Sequence, residues 1–228
     1  MNLADLDLAP GYRRFWWVLP PAGMAIVLFT VLRFFVPGDG DTLVVTERIN
    51  QTFPMRTTGT VRVENFTGDI SIMGQRDTTV LATIVREGRG DTEREAYDDL
   101  TRLESRMERQ GDTITIRTWR EPGPAGLGRP TVQLTVPYGT RLELVTGQGN
   151  IVVNWVRGPI AATTSSGDIT LTLAAGQHFL LDGSGKLNSE FELDSTMAPV
   201  RTVGAPADAP HLDLNAMRGT VRLQKRTP

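Results

Sequence analysis

Residues 142–171 read LELVTGQGNIVVNWVRGPIAATTSSGDITL and contain two copies of one short pattern, 18 residues apart. In the first copy, Leu142 is followed seven residues later by Gly149 and then by two apolar residues at spacing two. The second copy has the same form, with Ile160 and Gly167 in the corresponding places. Alternating apolar residues on both sides of a glycine indicate a strand, a tight turn and a second strand.

The pattern recurs elsewhere in the chain. One copy starts at Val61 with Gly68, another starts at Leu212 with Gly219, and a less regular copy starts at Phe179. A unit this small cannot bury its own apolar face, so it must stack on its neighbours. The repeats therefore predict a β-solenoid, an all-β fold of stacked coils.

Stacking makes equivalent residues form ladders along the coil axis. The first apolar positions form one predicted inward ladder, and the positions after the glycine form a second: Val61, Leu142, Ile160, Phe179 and Leu212; then Ile70, Ile151, Ile169 and Val221. Gly149-Asn150 and Gly167-Asp168 are also hairpin signals, which makes an antiparallel β-sandwich the alternative fold. The constant offset of seven residues in distant copies favours the solenoid.

One segment departs from the strand pattern. Within residues 91–110, Ala96, Leu100, Leu103 and Met107 recur at spacings of four, three and four, which predicts one face of an amphipathic helix. Asp91 or Thr92 would cap its start, and Gly111 would end it. The predicted fold is thus a solenoid with one inserted helix.

The N-terminal region contains a long apolar run. Residues 15–32 carry no charge, and apolar character resumes after Arg33. About 20 residues span a bilayer, so residues 15–36 are predicted to form a transmembrane helix, an uncleaved signal-anchor in contact with membrane lipid. Arg13 and Arg14 precede this run, which predicts a cytoplasmic N-terminus and an extracytoplasmic C-terminal domain in the cell membrane.

Composition excludes several kinds of partner and chemistry. The formal net charge is −2, and the 24 basic residues are scattered among 26 acidic ones, so no nucleic-acid surface is predicted. The chain has no cysteine, which excludes disulfides and thiolate metal sites. The two histidines lack metal-ligand spacing, so we expect no metal and no cofactor.

The strand and turn motifs resemble a bacterial family of β-strand-repeat domains, the putative adhesins of unknown function. The matching segments are residues 59–63 (GTVRV), 68–72 (GDISI), 112–116 (DTITI), 132–137 (VQLTVP), 166–171 (SGDITL) and 219–223 (GTVRL). The resemblance covers residues 42–225. It implies a right-handed solenoid outside the membrane with adhesion or envelope-stress roles, and it supplies no catalytic residues.

Four polar residues at or near predicted turns are the candidate ligand-facing positions: Asp69, Asn150, Asp168 and Asp182. Aspartate and asparagine commonly bond the backbone in turns, which explains each of them without a ligand. Glycoside hydrolysis needs two carboxylates about 5–10 Å apart. Stacked turns could bring two of these aspartates that close, so a carbohydrate-active enzyme is an alternative function. Residues 163–166 (TTSS) form a polar run that is suited to hydrogen-bonding a glycan.

The predicted function is that of a membrane-anchored, non-catalytic binding or scaffold domain whose ligand is a surface glycan or an envelope protein. An accessory of an envelope-stress sensing system is the second hypothesis. The predicted divisions are a head at 1–14, the span at 15–36, a linker with a leading strand at 37–58 and the repeat domain at 59–225. An open edge at the end of the strand stack also makes self-association possible.

Overall fold

The computed structural model describes residues 31–37, 42–56, 58–124, 126–196 and 199–226. These residues form sixteen strands and one helix. In chain order they are β1 (Val31–Pro37), β2 (Leu43–Pro54), β3 (Thr60–Asn65), β4 (Ile70–Gln75), β5 (Thr79–Gly90), α1 (Glu93–Thr101), β6 (Leu103–Gln110), β7 (Thr113–Arg120), β8 (Arg129–Pro137), β9 (Arg141–Gln148), β10 (Ile151–Asn154), β11 (Ile160–Ser166), β12 (Ile169–Ala174), β13 (Leu180–Ser189), β14 (Leu193–Asp194), β15 (Val200–Thr202) and β16 (His211–Arg226).

The described strands belong to one mixed sheet. Its main path runs β1-β2-β5-β8-β4-β10-β12-β16-β11-β9-β3-β7-β6, and β13, β14 and β15 lie off this path. Pairing is parallel from β8 to β7 along this path. It is antiparallel towards both ends, at β1-β2, β2-β5, β5-β8 and β6-β7. The sheet curls until it is nearly closed around the apolar core.

The predicted right-handed β-solenoid is wrong, and β16 shows the physical reason. Its residues Leu212 to Ala216 pair with β11, while Val221 to Arg226 pair with β12. The strand therefore continues past the repeat glycine, Gly219, without a break. Its hydrogen bonds to β11 and to β12 join the strands before the repeat glycines and those after them in one sheet. The twelve-residue strands β2 and β5 then extend this sheet in the antiparallel sense.

The alternative antiparallel β-sandwich is also wrong. Strands β9 and β10 flank Gly149-Asn150, yet they do not pair with each other. Instead, β9 pairs with β3 and β11, and β10 pairs with β4 and β12, all in parallel. The turn therefore carries the chain between two parts of the sheet and does not close a hairpin.

The residue-to-residue register agrees with the ladders predicted from the repeats at all but one position. Val61, Leu142, Ile160 and Leu212 are successive partners, and so are Ile70, Ile151, Ile169 and Val221. These eight side chains are at most 3 % exposed. The exception is Phe179, because Leu181 is the residue that pairs with Leu212. Burial of such a side chain contributes about 1.5–3 kcal/mol.

The helix predicted over residues 91–110 is half as long as expected. Thr92 caps α1 in a capping box with Glu95, as the sequence indicated, but α1 ends at Thr101. Residues 103–110 form β6, which pairs antiparallel with β7 across a turn at Gly111. The apolar positions Leu103 and Met107 are spaced by an even number, so they also suit one face of a strand. Pairing with β7 decides between the two structures.

The predicted transmembrane anchor is contradicted by the residues that the structure describes. Residues 31–36 belong to β1, which pairs with β2 along its whole length. In the described ranges, no helix has the length and apolar character needed to cross a membrane. The prediction of a single-pass protein with a cytoplasmic N-terminus is corrected accordingly. Residues 15–30 of the predicted span lie outside the described residues.

Candidate functional site

The repeat glycines form a column at one end of the parallel strands. The backbone N–H of Gly68 donates to the carbonyl of Gln148 at 2.6 Å, and that of Gly149 donates to Ser166 at 2.9 Å. A Cβ atom added at Gly149 would collide with the carbonyl oxygen of Gly68, and one at Gly167 with that of Gly149. The turns therefore stack directly on one another, because glycine leaves room for the neighbouring backbone.

The residue after each glycine ties one turn to the next. The Oδ1 atom of Asp69 accepts a hydrogen bond from the backbone N–H of Asn150 at 2.7 Å. Asn150 in turn accepts from the N–H of Asp168 at 2.9 Å, and Asp168 accepts from the N–H of Thr220 at 2.8 Å. Three of the four candidate ligand-facing residues thus form one ladder of side-chain bonds, which we call the Asx ladder.

Asp168 carries a second interaction. Its Oδ2 atom lies 2.5 Å from Nη1 of Arg222. The hydrogen bond from Arg222, followed by the one from the Thr220 backbone, holds the pKa of Asp168 below its ordinary value. The carboxylate is therefore ionised at neutral pH and fixed between two donors.

Asp182 lies apart from the Asx ladder. It is inside β13 and pairs in register with Asp213 of β16, so it is not at a turn. Its Oδ2 atom is 3.5 Å from Nε2 of His211. The structure brings Asp69, Asn150 and Asp168 together and leaves Asp182 elsewhere. A ligand-facing role for these four residues stays a prediction.

A cleft of about 740 Å³ opens beside the glycine column. Its floor consists of the residues that precede the repeat glycines, in four successive turns: Phe66 and Thr67, Gly147 and Gln148, Ser165 and Ser166, and Met217 and Arg218. Its wall consists of Arg120 and residues 126–129. Stacked strands are about 4.8 Å apart, so four turns make a floor about 14 Å long.

The wall of the cleft is fixed by a buried carboxylate. Asp99 of α1 accepts hydrogen bonds from the backbone N–H groups of Gly128 at 2.7 Å and Arg89 at 3.0 Å. It also forms an ion pair with Arg120, whose Nη2 donates to the carbonyl of Gly128 at 2.5 Å. A proline- and glycine-rich segment is thereby held against the sheet by charge-assisted bonds.

The cleft surface combines polar groups with exposed apolar side chains. Leu127 is 75 % exposed and Met217 is 68 % exposed, on the wall and the floor respectively. Ser165 and Ser166 add hydroxyl groups to the floor. The lining residues that the structure describes include three arginines and no carboxylate. Such a surface can donate hydrogen bonds, pack against apolar faces and attract negative charge.

Only part of this site is recognisable in the sequence. Ser165 and Ser166 belong to the polar run that was singled out, whereas Thr164 of the same run points inward and is buried. None of the four candidate ligand-facing residues lines the cleft. The floor residues stand one and two positions before each repeat glycine, whereas Asp69, Asn150 and Asp168 stand one position after it. That shared position was the sequence signal that could have located the floor.

No family model matches the chain, and no curated protein matches it. Solved structures that are similar to it include a putative cell adhesion protein from Clostridium sporogenes, with 10 % identity over 78 % of this chain and 99 % of that chain, at a TM-score of 0.49. A putative adhesin from Bacteroides fragilis has 10 % identity over 78 % and 97 % of the two chains, at a TM-score of 0.27. A third, from Parabacteroides merdae, has 8 % identity over 68 % and 65 %, at 0.31. The similar structures are thus putative adhesion proteins of bacteria, the class that the sequence resembles.

Proposed function

We propose that this protein is a non-catalytic binding module and that the cleft beside the glycine column is its ligand site. The observation that carries the proposal is the joint exposure of Leu127 on the wall and Met217 on the floor of a cleft that also presents hydroxyl and amide groups. Burial of exposed apolar surface favours association, and polar groups between the apolar ones give it direction.

A glycan is the ligand that fits these groups best. Sugar rings present hydroxyl groups at their edges and apolar C–H groups on their faces. Thr67, Gln148, Ser165 and Ser166 would bond the hydroxyl groups, while Leu127 and Met217 would pack on the ring faces. The floor is held by backbone bonds between turns, so few side chains would need to be ordered on binding.

The state of the carboxylates supports a role without catalysis. Glycosidases need two carboxyl groups that flank the scissile bond. Asp69 and Asp168 instead accept backbone hydrogen bonds within the Asx ladder. The described residues that line the cleft supply no carboxylate of their own.

A bulky tryptophan on the floor of the cleft tests the proposal. Ser165 is exposed on the floor, so Ser165→Trp should leave the fold intact and abolish retention of the full-length protein on immobilised glycans. Met73→Trp is the matched control, because Met73 is 44 % exposed on β4 outside the cleft. Equal retention of Ser165→Trp and wild type would overturn the cleft as the site.

An envelope protein is the alternative ligand, favoured by the same two apolar side chains. Its own apolar residues would pack on Leu127 and Met217. Replacement of both by serine distinguishes the cases. If the wild type captures a protein but retains no glycan, and the double serine variant no longer captures that protein, the proposed ligand becomes a protein.

A further inference from the structure

Two arginines in the cleft have no acidic partner among the residues that the structure describes. Arg129, on the wall, and Arg218, on the floor, are both exposed and line the cleft. Neither forms an ion pair with a described residue, whereas Arg120 beside them is bonded to Asp99. The side chains of Arg129 and Arg218 are therefore available to a ligand.

The carboxylates next to these arginines in the fold are committed to other partners. Glu87 is the cross-strand partner of Arg129, but its Oε2 atom lies 3.2 Å from Nη2 of Arg89. Asp168 follows Gly167, whose N–H donates to the carbonyl of Arg218, but its carboxylate is bonded to Arg222. The positive charge of the cleft is thus not neutralised from within the surrounding fold.

The two arginines lie at opposite ends of the stacked turns. A Cβ atom at Gly68 would meet the carbonyl of Pro130, the neighbour of Arg129, and one at Gly219 would meet the carbonyl of Gly167. The order along the column is therefore Pro130, Gly68, Gly149, Gly167 and Gly219. Since each step is about 4.8 Å, the two arginine backbones are about 19 Å apart. An extended chain that lies along the stacked turns can therefore contact both arginines.

We infer that the cleft binds an acidic glycan, a chain that lies along the stacked turns with anionic groups at Arg129 and Arg218 and hydroxyl groups over Gln148, Ser165 and Ser166. This inference rests on the proposed function and adds the ligand's charge and length. Arginine donates to carboxylate and phosphate through a planar pair of N–H groups, so either anion suits the site.

The test compares polymers that differ in charge alone. Binding of the full-length protein to polygalacturonate and to its fully methyl-esterified form is measured in low salt, because exposed charge pairs are screened as ionic strength rises. Inorganic polyphosphate is measured in parallel and separates phosphate from carboxylate as the anion. The charged polymer should bind, and the ester should bind at least about tenfold more weakly.

Substitutions then test whether Arg129 and Arg218 are the residues that bind the anionic groups. Arg129→Gln and Arg218→Gln should each weaken binding about tenfold, because each removes a charge-assisted bond. Arg56→Gln is the matched control: Arg56 is 83 % exposed and precedes β3, whereas the cleft lies beyond the far end of that strand. A trimer of galacturonate should bind more weakly than the polymer, since it presents fewer carboxylates along the cleft.

The outcomes separate this inference from the proposed function. Equal binding of the polymer and its ester would overturn the acidic ligand and leave the cleft as a glycan site. Equal loss in Arg56→Gln would also overturn it, because the effect would then be one of overall charge. Absence of binding to all three polymers would overturn the inference, and the proposed function would be decided by the Ser165→Trp comparison.

Discussion

The Oδ1 atom of Asn150 accepts a hydrogen bond from the backbone N–H of Asp168 at 2.9 Å, across 18 residues of sequence. The same relationship links Asp69 to Asn150 at 2.7 Å. An Asx side chain more commonly bonds the backbone of its own turn. Here each one bonds the next turn in the stack, so the residues after the repeat glycines stabilise the alignment of the turns under the cleft.

Loss of one rung of the Asx ladder should lower stability. Asn150→Ala removes the acceptor for the N–H of Asp168, and we expect the free energy of unfolding to fall by about 1 kcal/mol. Urea denaturation measures the change. Asn188→Ala is the control, because Asn188 is exposed on β13 and no side-chain bond of Asn188 to a described residue is observed. Equal losses in both variants would contradict a specific role for the rung.

The glycine column should not tolerate a methyl group. Gly167 has φ of +140°, and a Cβ atom there would collide with the carbonyl of Gly149. Gly167→Ala should therefore cost about 2 kcal/mol or more in thermal unfolding. At Gly176 a Cβ atom meets nothing within 4 Å, so Gly176→Ala should be close to neutral. A neutral Gly167→Ala would show that the turns do not stack closely.

Asp168→Asn separates charge from hydrogen bonding. Asparagine keeps an acceptor for the N–H of Thr220 but loses the ion pair with Arg222. Because the folded pKa of Asp168 is lowered, its ionised form stabilises the fold above the ordinary aspartate pKa, and this contribution is lost as the pH falls through the folded pKa.

The expected difference between wild type and Asp168→Asn is therefore small at pH 7 and decreases as the pH falls towards the folded pKa. The pair is partly exposed, so we expect less than about 1 kcal/mol at pH 7. Urea denaturation at pH 7 and at about pH 3 measures the decrease, which begins where aspartate in the unfolded chain takes up its proton, near pH 4. A difference of the same size at both pH values would assign the effect to packing.

Asp99 should be required for the wall of the cleft. Asp99→Ala leaves Arg120 without its ionic partner and removes the acceptor for the N–H groups of Gly128 and Arg89. Breaking such a buried pair costs about 3–5 kcal/mol, a large part of the stability of a domain. Calorimetry should show a large fall in Tm.

The neighbouring residue provides the control for that experiment. Asp98 lies on the same helix and is 62 % exposed, with Oδ2 at 4.0 Å from Nε of Arg94. Asp98→Ala should change stability by less than about 0.5 kcal/mol. Similar losses in the two variants would indicate that helix α1, and not the Asp99 network, determines the result.

The repeats predicted the local register because each glycine fixes where a turn must fall. Ile151 and Ile169 pair as expected because a shift of one residue would expose their side chains. The pattern did not specify whether the strands on the two sides of a glycine are separate or continuous. Whether a strand continues past its glycine, as β16 does at Gly219, depends on partners distant in sequence.

The site was harder to predict than the register. Asp69 and Asp168 were candidate ligand-facing residues, yet their carboxylate oxygens accept hydrogen bonds from the neighbouring turns. Leu127 and Arg129 belong to a proline- and glycine-rich segment without periodicity. Their place on the wall depends on Asp99, about 30 residues earlier in the chain. Such a long-range contact leaves no local pattern in the sequence.

Methionine methyl resonances give the most direct test of the cleft as the binding site. Met217 is exposed on its floor, whereas Met73 is exposed elsewhere and Met55 is buried in the core. In full-length protein with ¹³C-labelled methionine methyl groups, addition of polygalacturonate should shift the Met217 signal and leave those of Met73 and Met55 in place. A shift at Met73 with none at Met217 would contradict the account.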